Sequence, residues 1–425
     1  MKRYIEVFLL VLLINLLSIS AVAQPVEIVF WHFMENPIEE KSMDEIIAQF
    51  NKTHPGINVK GVLTAEGETE TTKLMTAVAA GVGPDVYELD RFIVAQYAYN
   101  GVIELLEDFL VQAGVNIEVL RSEFFDFAVE EATYKGKLYA LPWDTDCRAL
   151  YYNKKMFKEA GLDPNKPPRT ISELDEYADK LTIMKGNKIQ QIGFVPWSNQ
   201  GYHYTWGWVF GGKFYDSESK KIIFADDPKI VKALEWEKTY ATKYGKDNLD
   251  TFVSSVGATT NLFLMGKQAM RVDGNWLMST ISEFAPVGFE YGIIPIPFPP
   301  DGEKNSTWTG GYSLVIPKGC KHPKEAAEFL VYMATDGAIK FAIDSNHFSA
   351  AKGSVQKLIE ANQDQKIFAD LLPTAHCRPV IPMGGLLWDK LDQAWNYALY
   401  GEKSVEQALR DAQNEVQVEL DKAFK

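Results

Sequence analysis

The 425-residue chain has only three cysteines, Cys147, Cys320 and Cys377. A disulfide framework needs an even and denser set, so none is expected to organise the fold. One bridge, Cys320 with Cys377, is open to an exported chain. Cys147 reads as a small buried filler. Positive charge is also short: 43 Lys and Arg stand against 57 Asp and Glu, for a net charge of −14. Nucleic-acid binding needs clustered cations, and neither such a cluster nor a basic membrane patch occurs. The six histidines form no H-E-x-x-H pair, and the Cys/His spacing does not suit zinc. There is no Walker loop. "GVGPD" (81–85) lacks a lysine and reads as a helix stop and turn, and "GGYSLV" (310–315) lacks the closing glycine of a serine-hydrolase elbow. "DGEKNSTW" (301–308) is too short for an EF-hand loop. No cofactor and no metal is expected.

Long apolar runs are missing too, with one exception. Lys2 and Arg3 precede an apolar stretch from Phe8 to Leu17, and Ala21-Val22-Ala23 gives a small-residue cleavage site. The stretch is about ten residues, half of the roughly twenty that a membrane helix requires. Residues 1–23 therefore read as a secretory signal peptide cut near Ala23, with no lipid-anchor cysteine. Its loss removes Lys2, Arg3 and Glu6 and leaves a mature charge of −15.

What is present begins with alternating strands and helices. Val26–Trp31 is of strand length. Met43, Ile46, Ile47 and Phe50 repeat at helical spacing, and His54-Pro55-Gly56 ends that helix. Ile57–Leu63 and Asp85–Leu89 read as strands around a helix over 71–80. This order implies a parallel sheet with helices on both faces. Thr170 with Glu173 predicts a capping box, Pro228 and Pro323 predict helix starts, and Ser404 with Gln407 caps a final helix. About 400 mature residues exceed one ordinary domain, so two lobes are expected. "IIPIPFPPDG" (293–302) reads as a stiff connector between them. In open parallel sheets ligands bind beyond the carboxyl ends of strands. This directs attention to the loops after Phe30, Leu63, Leu89 and Leu141, the second of which holds Glu66.

The loop "LPWDTDCRALYYNK" (141–154) sets Asp144 and Asp146 two apart beside Trp143. Hydrolysis of a glycosidic bond needs carboxylates facing each other across it. Two acids on one side of a strand suit hydrogen bonding to hydroxyls better, although Glu35 or Asp90 is available as a distant partner. The chain also holds ten tryptophans. Trp236 reads as helix packing. Trp31, Trp206, Trp208, Trp276, Trp308 and Trp388 lie beside glycines or at the ends of apolar runs. Aromatic platforms with acid acceptors have the composition of a carbohydrate site.

Six motifs in order extend this reading: "EIVFWHFMEN", "AAGVGPDVYELDRF", "GKLYALPWDTDCRALYYNKKMFKEAGL", "GKQAMRVDGNW", "TGGYSLVIPKG" and "CRPVIP". With them the chain resembles the extracellular solute-binding proteins of ABC sugar importers, the group of maltose- and trehalose/maltose-binding proteins. The resemblance implies an α/β, two-lobed periplasmic-binding-protein fold, each lobe a mostly parallel sheet flanked by helices, joined by hinge crossovers. Residues 24–143 plus 296–348 would form lobe 1, and 144–295 plus 349–425 lobe 2. The resemblance implies a ligand shell of Trp31, His32, Glu35, Glu66, Asp90, Arg91, Trp143, Asp144, Asp146, Trp206, Trp276, Gly310, Gly311, Tyr312, Arg378 and Trp388. It implies a periplasmic, non-enzymatic carrier, a monomer by family default, that passes a sugar to ABC permease subunits. Two departures leave the sugar unnamed: His203 stands where maltose-binding proteins place an aromatic, and Met278 where some have a second tryptophan. A carrier of a glycerol phosphate, polyol or peptide, and a secreted glycoside hydrolase, stand as alternatives.

Overall fold

A computed structural model describes residues 24–34, 36–64, 72–255 and 261–425. The expected signal peptide, Glu35 and Glu66 lie outside the described residues. Two sheets frame the molecule. In chain order their strands are β1 (Val26–His32), β2 (Ile57–Leu63), β3 (Val86–Asp90), β4 (Leu141–Pro142), β5 (Arg148–Asn153), β6 (Met270–Gly274), β7 (Tyr291–Ile294) and β8 (Tyr312–Val315).

The first sheet has the order β2-β1-β3-β8-β4. β1 pairs in parallel with β2 (Val26 opposite Ile57) and with β3 (Phe30 opposite Val86). β8 returns antiparallel, setting Tyr312 opposite Asp90 and Ser313 opposite Pro142. The helix Pro37–Thr53 is started by Asn36, whose side chain accepts from Ile38 N at 2.9 Å. It buries Met43, Ile46, Ile47 and Phe50 against this sheet's core, as the spacing predicts. Each such side chain contributes about 1.5–3 kcal/mol of transfer free energy.

The second sheet, β6-β5-β7, differs from expectation. Its strands all pair antiparallel: Met270 faces Tyr152 and Tyr291 faces Asn153. The capping box at Thr170 and Glu173 is present. So are the helices Pro228–Tyr244, Pro323–Tyr332 and Val405–Ala423. The last packs on Gly384–Leu399 through Leu387, Leu391, Leu409 and Val416.

The chain passes between the two bodies where packing changes hands. Trp143 belongs to the first core and Cys147 to the second. Ile296 and Trp308 still pack in the second body, and first-core packing resumes at Tyr312. The expected return at 296 is thus about one strand too early. The proline-rich stretch is no connector: Phe298 bridges to Thr170, and Glu303 N donates to Val209 O at 3.0 Å, strapping it to the second body. A third passage follows the helix Ala338–Ser345, between Phe341 of the first core and Phe348 of the second. All three cysteines are free thiols, so no bridge joins Cys320 to Cys377. Cys320 Sγ instead lies 3.3 Å from Asp85 Oδ1.

Candidate functional site

The passages converge on a cavity of about 200 Å³. The ends of β3 and β8 bring Asp90, Gly310, Gly311 and Tyr312 to it, and the loop before β5 brings Asp144 and Asp146. Trp276 enters just after β6, and Arg378 from the loop after His376. Eight of the anticipated residues therefore meet in one place, on strand ends where the topology puts a crevice.

The lining is a set of paired charges. Arg378 donates from Nη1 and Nη2 to the two oxygens of Asp90, at 3.1 and 2.6 Å. Both groups are buried, and the guanidinium lies over Phe92 at 3.9 Å. Asp146 Oδ1 accepts from Gly310 N at 2.7 Å and is paired with Arg148. Arg148 reaches Gln200 Oε1 at 3.2 Å and lies between two tryptophans, 3.5 Å from the Trp308 ring centre and 5.3 Å from that of Trp276. Asp144 accepts from Tyr312 N through Oδ1, at 2.5 Å, and meets His347 Nδ1 through Oδ2, at 3.2 Å. The other ring nitrogen of His347 is 3.1 Å from Glu39 Oε1, in the first turn of the helix Pro37–Thr53. Burial alone would lower the pKa of His347, but its bonds to Asp144 and Glu39 lift it to about 10. The imidazolium also stacks on Trp276, with centroids 5.8 Å apart and planes 24° apart.

Other anticipated residues stand elsewhere. Trp206 is fully buried, donates to Pro196 O at 2.8 Å and packs against Phe194 and Trp236, so it is core. Trp143 is fully buried against Phe341. Trp31 is half-buried on β1 beneath the ammonium of Lys73. His32, on the same strand, is buried, and burial lowers its pKa to about 4. Trp388 lies behind Arg378, against Phe92 and His203. Arg91 is fully buried and paired with Glu131, off the cavity wall. Phe33, Met34, Glu39, Arg148, Gln200 and His347 line the cavity and were not anticipated. Only Arg148 had a visible signal, as the cation two places after Asp146.

Comparison with known proteins identifies the frame. Residues 36–340 match the family model of bacterial extracellular solute-binding proteins. The chain belongs to this family. A maltotriose-binding protein of Pyrococcus abyssi is 23% identical over 401 residues, covering 92% of this chain and 82% of the relative. The sn-glycerol-3-phosphate-binding periplasmic protein UgpB of Salmonella typhimurium is 28% identical, over 72% of this chain and 69% of its own length. Among solved structures, CpMnBP1 with mannotriose bound superposes with a TM-score of 0.83 at 31% identity, over 92% of this chain and 100% of that one. The two-lobed architecture is that of the family. Among the described residues, no group of three His, Cys, Asp or Glu could hold a metal ion, and no helix is long and apolar enough to cross a membrane.

Proposed function

We propose that the cleft captures a neutral sugar or short oligosaccharide. The observation that carries this is a cavity wall that sets Trp276 among Asp90, Asp144, Asp146, Arg148 and His347. A pyranose ring offers C–H groups to an aromatic face and hydroxyls to charged acceptors and donors, and each half of that demand is met here. Asp90, Asp144, Asp146, Arg148, Arg378, Gly310, Gly311 and Tyr312 form the polar shell of this reading.

Charge argues against a phosphorylated ligand. The cavity holds four carboxylates, Glu39, Asp90, Asp144 and Asp146, and three cations, Arg148, Arg378 and His347. Each cation is already engaged by a carboxylate. A phosphate would have to displace an acid from its partner, whereas hydroxyls can join both members of a pair. The likeness to UgpB keeps glycerol phosphate as the second reading. Hydrolysis is disfavoured because Asp144 and Asp146 are each tied to a backbone N–H and a cation on the cavity wall, an arrangement that holds hydroxyls and does not face two acids across a bond.

In this reading the chain is an exported carrier, not an enzyme. Its signal is cut near Ala23, and it acts in the periplasm as a monomer that delivers sugar to ABC permease subunits. The passages at 143–147, 309–312 and 346–350 serve as hinges, and a ligand spanning both lobes favours the closed arrangement by its differential contacts. A thermal-shift screen of the mature chain tests this, because a ligand at a hundred times its Kd adds about 2.7 kcal/mol of stability. A shift with a neutral sugar that remains intact supports the carrier. A shift with glycerol 3-phosphate alone transfers the assignment to the second reading.

A further inference from the structure

Arg91 follows Asp90 directly, yet it serves no wall of the cavity. It is fully buried. Its Nε donates to Glu131 Oε2 at 3.0 Å, and Glu131 is equally buried. The remaining nitrogens reach two different passages of the chain. Nη1 donates to the carbonyl of Asp144 on the first, and Nη2 to the carbonyl of Gly310 on the second. Nη2 also lies 3.3 Å from Thr145 Oγ1, which is 2.8 Å from Thr309 Oγ1. The backbone N–H of Arg91 donates to Gly311 O at 3.0 Å. Gly311 has φ of +119°, and a Cβ there would strike Arg91 Nη1 and Asp144 O, so the close approach requires glycine.

We propose that Arg91, held by Glu131, is a positioning residue that registers the first two inter-lobe passages against each other and so sets the resting angle of the lobes. The two residues whose carbonyls it holds, Asp144 and Gly310, also carry groups that face the cavity. Asp144 presents its carboxylate to Tyr312 N, and Gly310 presents its N–H to Asp146. A shift between the passages would misdirect both acids. A planar guanidinium spreads five N–H donors in a rigid fork that spans a carboxylate and two separated carbonyls, whereas a lysine's three donors radiate from one compact ammonium. A buried ion pair is weak evidence of stabilisation, since its desolvation offsets its attraction. Its value here is geometric. The effect on affinity rests on the sugar-carrier reading, but the effect on lobe angle does not.

The test uses Glu131→Gln, Arg91→Lys and Arg91→Met in the mature chain, with circular dichroism checking the fold. Small-angle scattering without ligand measures the lobe angle, and titration with the sugar found by screening measures affinity. Arg91→Met is expected to give a changed radius of gyration without ligand. If the binding-competent fraction falls to one tenth, Kd rises about tenfold. Arg91→Lys and Glu131→Gln should give smaller changes in the same direction. Should Arg91→Met fail to fold, the two milder variants carry the test. Folded variants whose scattering without ligand matches the wild type would overturn the proposal, even if no sugar binds either protein.

Discussion

Arg378 forks onto Asp90 at the cavity, with one terminal guanidinium nitrogen on each carboxylate oxygen, at 3.1 and 2.6 Å. Asp90 ends a strand of the first sheet, and Arg378 comes from a segment of the second body, 288 residues away in sequence. The pair therefore joins the two lobes at the point where a ligand would lie.

Removing one partner leaves a buried charge unpaired. Asp90→Ala should cost about 3–5 kcal/mol in denaturant unfolding. The double change Asp90→Leu with Arg378→Met should recover most of that stability and still abolish sugar binding. Recovery of both properties would show that the pair is structural only.

Two tryptophans that look alike in sequence should behave in opposite ways. Trp206→Ala, in the core, should cost about 3–5 kcal/mol of stability. Sugar affinity of the folded fraction should be unchanged. Trp276→Ala should cost less stability than Trp206→Ala and lose about 1–3 kcal/mol of sugar affinity. Calorimetry with parallel urea titration separates the two.

Stability should fall as pH rises above 6.5. Burial pushes Glu88 and Glu237 up to about 8 from 4.5, so both are protonated in the fold. Their contribution is full below 4.5 and is lost as pH rises through 8. His347, raised to about 10 from 6.5 by Asp144 and Glu39 against the effect of burial, loses its contribution between 6.5 and 10. His32, lowered to about 4 by burial, acts in the other direction, but only below 6.5. Melting temperature should therefore decline from pH 6.5 to 10, and Glu237→Gln should flatten the portion below 8. A rising or flat profile over that span would contradict these protonation states.

The free thiols make a simple forecast. A native disulfide is worth about 2–5 kcal/mol, so its reduction would be conspicuous. Adding a reductant to the mature chain should leave the melting temperature unchanged. A clear drop would mean that Cys320 and Cys377 are bridged after all.

Local features were legible in sequence because their physics is local. The helix spacing of Met43 to Phe50 and the capping box of Thr170 with Glu173 depend on residues within one or two turns. The acids Asp90, Asp144 and Asp146 stood out through strand-end position and motif. What escaped depends on distant partners. His347 gains its role from Asp144 and Glu39, which are 203 and 308 residues away. Trp206 and Trp276 both lie within two residues of a glycine, and only packing separates core from platform. The direction of β6 and β7 against β5 is decided more than 100 residues from β5, beyond any local pattern.

A neutral sugar in this cleft leaves a thermodynamic signature that a charged ligand does not. Calorimetric titration of the mature wild-type chain measures it most directly, with mono- to tetrasaccharides beside glycerol 3-phosphate, at low and high salt. Saturable binding of a sugar that is recovered intact is expected, with an affinity that salt barely changes, since no ligand charge is there to be screened. Binding confined to glycerol 3-phosphate and weakened by salt would contradict the neutral-sugar reading.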